Sequence, residues 1–186
     1  MLKRMIVDAD LCIKLGSSPK YSFLLDYLPL IAEEIFMHSH AYGEVMMPIP
    51  AHQQLVSLVN NKKVKVVNET ELDAQERAIY DMAFRKLSDV MIDPRKPNKN
   101  LGETCSLAFA KARSIPIFAT DERKLQPIID AQLNTGLDDI NCLRIVDIIK
   151  MTRSGEIVGI NRKTAKVIWV LAGKNKEHFD KDIWPL

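Results

Sequence analysis

Four carboxylate side chains stand at positions in the sequence where they could act together. Asp8 and Asp121 each follow a short apolar run, whereas Glu44 and Glu103 each follow a glycine at the beginning or in an early turn of a predicted helix. Carboxylates that converge repel one another and raise one another's pKa values. A hard cation relieves this repulsion, and a ligand set made only of oxygen atoms suits Mg²⁺ or Mn²⁺. The four residues therefore predict a magnesium or manganese site.

A metal ion at such a site favours chemistry on a phosphodiester. The bound ion reverses the local charge, so that a phosphate group can approach, and it lowers the pKa of the attacking water. Taken singly, Asp8 and Asp121 could instead cap the helices that follow them. Glu44 and Glu103, taken singly, could be solvated helix residues. The occurrence of all four, each in a suitable local context, favours a catalytic site.

The elements that must position these acids alternate between strand and helix. The predicted strands are apolar or rich in β-branched residues and cover 5–7, 34–38, 63–67, 115–119 and 142–145. This alternation predicts an α/β fold, a three-layer α/β/α sandwich with a mostly parallel sheet and helices on both faces. The third strand is expected at the edge of the sheet. Open parallel sheets bind ligands at the carboxyl ends of their strands, which is where Asp8 and Asp121 stand.

The same four acids lie in segments that resemble the PIN-domain family. These segments are MIVDADLCIKL, AYGEVM, LGETCSLAFAKA and IPIFATDERKL, and they occur in that family's order and with its spacing over residues 3–149. The resemblance implies a compact α/β/α fold and an endonuclease that uses one or two Mg²⁺ or Mn²⁺ ions, usually on RNA. Many bacterial members (VapC-like proteins) are toxins of toxin–antitoxin pairs, and dimers are common. The expected partners are therefore an RNA substrate, with DNA left open, an antitoxin protein and a second copy of the chain.

The resemblance also assigns roles to individual residues. Asp8 matches the family's first metal ligand, and Glu44 matches the ligand in the helix after the second strand. Glu103 takes a place where many members have Asp, and Asp121 matches the ligand after the fourth strand. Thr120 is expected to orient Asp121 or to contact phosphate. Glu122 and Asp10 are expected to support the ligands or to contact phosphate, and Asp10 takes a place where Asn or Ser is common.

Two other functions agree with parts of the sequence. Asp8-Ala9-Asp10 resembles the DxD motif of haloacid-dehalogenase-type phosphatases, in which Asp8 would be the nucleophile and Asp10 the general acid. That alternative has no role for Glu44 or Glu103, and no convincing lysine motif follows it. The second alternative is a PIN-fold protein that binds nucleic acid without turnover.

The histidines and cysteines carry weaker signals. His38 and His40 would share one face of a strand and could bind a metal, although such a pair at a strand end is more often structural. Cys12, Cys105 and Cys142 are far apart and lie in apolar segments, which predicts buried free thiols in a reducing compartment. No apolar run approaches the length of a membrane span, and no secretory signal is present. A cytoplasmic protein without membrane contact is therefore expected.

Two basic segments could contact a nucleic-acid backbone. They are the loop DPRKPNKN, with Arg95, Lys96 and Lys99, and a predicted C-terminal helix with Arg162, Lys163 and Lys166. The loop could equally be solvated without a role in binding. Trp169 and Trp184 could stack on bases, but core or interface positions are favoured for both.

The whole chain has the composition of a single globular domain. It has 186 residues, of which 47% are hydrophobic and 27% are charged, which suffices for one core rather than two independent ones. The formal net charge is only +2, which excludes a uniformly basic surface but allows a local basic track beside an acidic site. Residues 1–150 are predicted to form the PIN-like nuclease domain. Residues 151–186 are predicted to form a helical extension packed on the same domain.

Overall fold

Five parallel strands form a single sheet at the centre of the protein. The structure is a computed structural model that describes residues 1–185, and Leu186, the last residue of the predicted extension, lies outside the described residues. The strands are β1 (Leu2–Val7), β2 (Ala32–His38), β3 (Lys65–Val67), β4 (Ile117–Ala119) and β5 (Asn141–Leu143). Their spatial order is β3-β2-β1-β4-β5. The predicted parallel sheet is confirmed, and the third strand lies at its edge as expected.

Helices cover both faces of this sheet. They are α1 (Ala9–Gly16), α2 (Phe23–Tyr27), α3 (Ser39–Glu44), α4 (Ile49–Asn60), α5 (Ala74–Met91), α6 (Leu101–Ala112), α7 (Leu125–Gln132), α8 (Ile145–Ser154), α9 (Arg162–Leu171) and the single turn α10 (Lys176–His178). Helices α1 to α4, α8 and α9 share one hydrophobic core, and α5 to α7 share the other. The three-layer α/β/α sandwich is thus confirmed. Within residues 1–185, none of the helices has the length and apolar character that crossing a bilayer requires.

Strand β1 lies in the middle of the sheet because it is apolar on both faces. Met5 and Val7 pack into the core that contains α1, whereas Ile6 packs into the core that contains α6. Alternate residues of a strand point to opposite faces of a sheet, and all three side chains are fully buried. An uninterrupted apolar run is typical of such a doubly covered parallel strand.

The strand order creates a crevice at the carboxyl ends of β1 and β4. The chain begins at β1, moves outward through β2 to β3, and then returns to pair β4 with the other side of β1. Open parallel sheets bind ligands at the point where the strand order reverses in this way. Asp8 follows β1 directly, and Thr120 and Asp121 follow β4 directly.

Side-chain hydrogen bonds fix the beginnings of the two helices that pack beside this crevice. The carboxylate of Asp73 accepts bonds from two backbone N–H groups in the first turn of α5, and the carboxylate of Glu76 accepts a bond from the backbone N–H of Asp73. Ahead of α6, Asn100 adopts a left-handed conformation with φ 62° and donates its side-chain amide to the carbonyl of Met91. The end of α5 is thereby joined to the start of α6, the turn that carries Glu103.

The C-terminal segment, defined as residues 151–185, packs against helices of one face. Ile168 and Phe179 belong to the same hydrophobic core as β1 and α1. Trp169 is only 3% exposed, and its indole N–H donates to the carbonyl of Asn175 at 2.7 Å. Trp169 is therefore a core residue, as the sequence favoured.

Candidate carboxylate site

Asp8 is a buried carboxyl group at the end of the central strand. It is 2% exposed, and its backbone N–H donates to the carbonyl of Ala119 on β4. One carboxylate oxygen, Oδ2, accepts a bond from the hydroxyl of Thr120 at 3.3 Å, and Oδ1 has no hydrogen-bond partner within residues 1–185. Burial, together with the nearby charges of Asp10 and Glu44, raises the pKa of Asp8 to about 6. A buried polar atom without a partner is costly, which points to a ligand at this position.

Thr120 connects β4 to this carboxyl group. The residue is fully buried, and its hydroxyl also accepts a bond from the backbone N–H of Glu122 at 3.2 Å. Its own backbone N–H donates to the carbonyl of Leu143 at 3.1 Å, which ties it to β5. Thr120 was expected to orient Asp121 or to contact phosphate, but its hydroxyl bonds Asp8 instead.

Glu44 reaches the site because Gly102 has no side chain. Glu44 is the last residue of α3, and its Oε1 atom accepts a bond from the backbone N–H of Gly102 at 3.2 Å. A Cβ atom added at Gly102 would lie 2.4 Å from that oxygen and 3.1 Å from the Cα of Ala41. Burial raises the pKa of the Glu44 carboxyl above its usual value. The sequence identified Gly102 only as part of a helix start, so its contact with Glu44 was missed.

Glu103 lies in the first turn of α6, in the field of four other carboxylates. Burial raises its pKa to about 8, with further contributions from Asp8, Glu122, Glu44 and Asp10, in that order. Most residues of helix α6 are small or apolar and are buried, and the helix packs against α3 and α5. Glu103 therefore projects from a rigid helix. Five acids therefore surround one region at the carboxyl edge of the sheet.

Asp121 occupies a different environment from these five acids. It is 6% exposed, and its Oδ2 atom lies 3.0 Å from the ammonium of Lys14 and 2.9 Å from that of Lys174. Lys14 also contacts the carboxylate of Asp10 at 2.8 Å. The second oxygen of Asp121, Oδ1, has no hydrogen-bond partner within residues 1–185. The carboxylate expected as a metal ligand is thus held by two lysines.

Sequence reasoning singled out neither lysine of this arrangement. Lys14 stands four residues after Asp10 on α1, a spacing at which helical side chains of opposite charge meet. The ion pair between Lys14 and Asp10 could therefore have been predicted from the sequence. Lys174 gives no such signal, because it follows α9 and is far from Asp121 along the chain.

The donor atoms of this site suit a hard divalent cation. Within residues 1–185, no three or more His, Cys, Asp and Glu side chains are arranged to hold a metal ion as they stand. The acids are instead spread around one region. Burial raises the pKa values of Asp8, Glu44 and Glu103, and repulsion from neighbouring acids adds to the rise for Asp8 and Glu103. An oxygen-only set with an unpartnered buried oxygen on Asp8 fits Mg²⁺ or Mn²⁺. The residues that could hold such an ion are these three.

A groove of about 390 Å³ opens beside Glu103 and Glu122. Its remaining wall combines two lysines, an asparagine and four apolar residues, namely Lys99, Lys124, Asn100, Val90, Met91, Leu125 and Ile128. Lys99 was expected to contact nucleic acid, and the groove places it next to the acidic site. Lys124 was not singled out from the sequence.

The other basic residues that were expected to contact nucleic acid lie apart from this groove. Arg95 and Lys96 are exposed in the loop between α5 and α6, and Lys163 is exposed on α9. Arg162 and Lys166 both form ion pairs with Asp180, at 2.8 Å and 2.5 Å. On α9, the structure therefore uses two of the three basic side chains to hold the C-terminal segment.

His38 and His40 form no metal pair in this arrangement. His38 is fully buried, its ring stacks on His40 with centroids 5.6 Å apart, and its Nε2 atom lies 3.4 Å from the Glu69 carboxylate without good hydrogen-bond alignment. Burial lowers the pKa of His38 to about 4. The residue is a neutral core histidine, which is the structural role that the sequence left open.

Comparison with known proteins assigns no family to the chain. No protein-family model matches it, and no curated protein matches it either. Its function is therefore inferred from the residues of the carboxylate site.

Proposed function

We propose that this protein is a divalent-metal-dependent endoribonuclease of the PIN-domain type. The observation that carries the proposal is the buried carboxyl group of Asp8, which has one unpartnered oxygen at the carboxyl end of the central strand. Glu103 supports it, because its pKa of about 8 reflects burial among other acids. Buried acids with perturbed pKa values in a crevice are characteristic of functional sites.

In this proposal, Asp8, Glu44 and Glu103 hold one Mg²⁺ or Mn²⁺ ion. When bound, the ion would polarise the phosphoryl oxygen and favour deprotonation of the attacking water. The hydroxyl of Thr120 orients Asp8, and the backbone N–H of Gly102 orients Glu44. Glu122, which adds to the rise in the pKa of Glu103, would keep the surrounding potential negative, which attracts the ion and repels a phosphate that arrives without it.

The substrate that we propose is single-stranded RNA, bound along the groove beside Glu103. Lys99 and Lys124 line this groove and would contact backbone phosphates, while its aliphatic wall would pack against a base. With a net charge of only +2, the chain relies on such local contacts rather than on a general basic surface. DNA as a second substrate, an antitoxin partner and a homodimer stay predictions.

A reducing, cytoplasmic compartment belongs to the same proposal. Cys12, Cys105 and Cys142 are all free thiols; the first two are buried and the third is half-buried. Burial, together with the charges of Asp8 and Asp10, raises the pKa of the Cys12 thiol, so it stays protonated and unreactive beneath the site.

The test is cleavage of a fluorescent single-stranded RNA by the purified protein. We expect cleavage with Mn²⁺ or Mg²⁺, none with EDTA, and none for Asp8→Asn or Glu103→Gln, each of which should keep a folded circular dichroism spectrum. Asp26→Asn is the matched control, because Asp26 is an exposed acid on α2, and it should cleave like the wild type. Full activity of Asp8→Asn would refute the site assignment.

The same samples separate the two alternative functions. A PIN-fold binder without turnover should hold the RNA equally well with and without a divalent ion. A haloacid-dehalogenase-type phosphatase should hydrolyse a small phosphomonoester and trap fluoroberyllate on Asp8.

A further inference from the structure

The buried carboxylate of Asp121 is held by two lysines from distant parts of the chain. Lys14 comes from α1, and Lys174 comes from the C-terminal segment. Their ammonium groups lie 3.0 Å and 2.9 Å from the same oxygen, Oδ2. The exposed fractions of the side chains are 29% for Lys14, 11% for Lys174 and 3% for Asp121, so water screens these contacts only weakly.

The charges around Asp121 already balance without a metal ion. Asp10 and Asp121 supply two negative charges, and Lys14 and Lys174 supply two positive charges within 3.0 Å of them. A divalent ion at Asp121 would face two ammonium groups at short range. Asp8, by contrast, has no cationic partner within residues 1–185 and keeps one oxygen without a hydrogen bond. The two strand-end aspartates therefore differ in what they can bind.

Lys174 is held in place by its own segment as well as by Asp121. Gly173 has a φ of 74°, which allows the chain to turn at the end of α9. The backbone N–H of Lys174 then donates to the carbonyl of Trp169 at 3.2 Å, and its ammonium lies 5.4 Å from the centre of that indole ring. A cation over an indole face is favourable. The segment thus delivers a positioned cation to the edge of the site.

We propose that Asp121 is a positioning residue rather than a metal ligand in this protein. It binds Lys14 and Lys174 and so fastens the C-terminal segment to the carboxyl edge of the sheet, leaving a single divalent ion to Asp8, Glu44 and Glu103. This inference rests on the metal-dependent function proposed above.

The experiment measures Mn²⁺ binding to the full chain by electron paramagnetic resonance and calorimetry. The variant Asp121→Asn/Lys174→Met removes one acid and one base, so the net charge is preserved. We expect one Mn²⁺ per chain in the wild type and in this variant, with dissociation constants that agree within about threefold, because the local charge is unchanged. Asp8→Asn should weaken binding by at least the roughly 10- to 100-fold that loss of a supporting partner already costs.

Two outcomes would overturn the inference. One is a double variant that loses Mn²⁺ as Asp8→Asn does, and the other is a wild type that binds two ions where the double variant binds one. If neither the wild type nor any variant binds Mn²⁺, the proposed function fails and the metal assignment fails with it. That result can be told apart from both outcomes above, because the wild type and all variants would then show the same absence of Mn²⁺ binding.

Hydrogen exchange tests the fastening role independently of any metal. Lys174→Met and Asp121→Asn should each increase amide exchange in the C-terminal segment of the metal-free protein. The matched control is Lys176→Met, because Lys176 is an exposed lysine two residues further on. Amide exchange in the C-terminal segment of this variant should equal that of the wild type. Unchanged exchange in Lys174→Met would contradict the role assigned to Asp121.

Discussion

Replacing Gly102 by alanine is expected to move the Glu44 carboxylate out of the site. The new Cβ atom would lie 2.4 Å from Oε1 of Glu44, whereas ordinary contact begins near 3.4 Å. The carboxylate must therefore withdraw by about 1 Å, a misplacement that costs on the order of 100-fold in rate. This corresponds to about 2.7 kcal/mol of transition-state stabilisation. We expect kcat/KM for Mn²⁺-dependent RNA cleavage to fall by that factor.

The stability of Gly102→Ala should differ little from that of the wild type. A loss of activity in this variant would then reflect the displaced Glu44 carboxylate rather than unfolding. Alanine in a helix is favoured over glycine by up to about 1 kcal/mol. The lost bond between the Gly102 N–H and Glu44 offsets this by about 1 kcal/mol. The contact of the new Cβ atom with the Cα atom of Ala41 at 3.1 Å also opposes the gain, so Tm should fall, but by less than about 4 °C in a chain of this size.

Gly43→Ala is the matched control for this prediction. Gly43 precedes Glu44 in α3, and a Cβ atom added there has no neighbour within 4 Å. This variant should cleave RNA at the wild-type rate and gain up to about 1 kcal/mol in stability. Wild-type activity in Gly102→Ala, or an equal loss in Gly43→Ala, would refute the assigned contact between Gly102 and Glu44.

Three further predictions concern pH, substrate binding and metal binding. The pKa of Glu103 is raised from 4.5 to about 8 in the folded protein, so the metal-free protein loses stability as pH rises through that range. The Tm of Glu103→Gln should therefore exceed that of the wild type by a margin that grows with pH. A constant margin would contradict the assigned burial. Replacing Lys99 and Lys124 by alanine should weaken binding of single-stranded RNA in EDTA and reduce the salt slope of log K by about 0.7 per lost phosphate contact; Lys96→Ala, outside the groove, should leave the slope unchanged. Mn²⁺ at about 100 times its dissociation constant should stabilise the fold by about 2.7 kcal/mol. EDTA should reverse this effect, and acid pH should diminish it. A Tm that does not change with Mn²⁺ would argue against a metal site in the folded protein.

The fold could be predicted from the sequence because its signals are local. The run Met5-Ile6-Val7 is apolar without alternation, which is the pattern of a strand covered on both faces, and β1 is indeed central. The start of α5 is likewise determined locally, since Asp73 and Glu76 cap it within a single turn. The bounds of the strands were predicted less accurately. The third strand begins at Lys65 rather than at residue 63, because Lys62 turns the chain with a φ of 58°.

The carboxylate site was only partly within reach of the sequence. The placement of Asp8 followed from the strand that precedes it, and its burial agrees with a site at the sheet edge. The environment of Asp121 could not be derived in the same way, because its partner Lys174 lies far along the chain and depends on how α9 packs. The contact of Gly102 with Glu44 was hidden for the same reason, since it joins two helices that are distant in sequence.

The packing of Trp169 beneath Lys174 gives the protein an internal optical reporter. The chain has two tryptophans, Trp169 and Trp184, and both lie in the C-terminal segment. Their combined emission therefore monitors that segment without any added label. A positive charge held 5.4 Å from the indole centre of Trp169 shifts the energy of its excited state. Displacement of Lys174 would therefore change the wavelength of the tryptophan emission maximum. Fluorescence recorded during a titration with Mn²⁺ or RNA would thus follow the far end of the chain in real time.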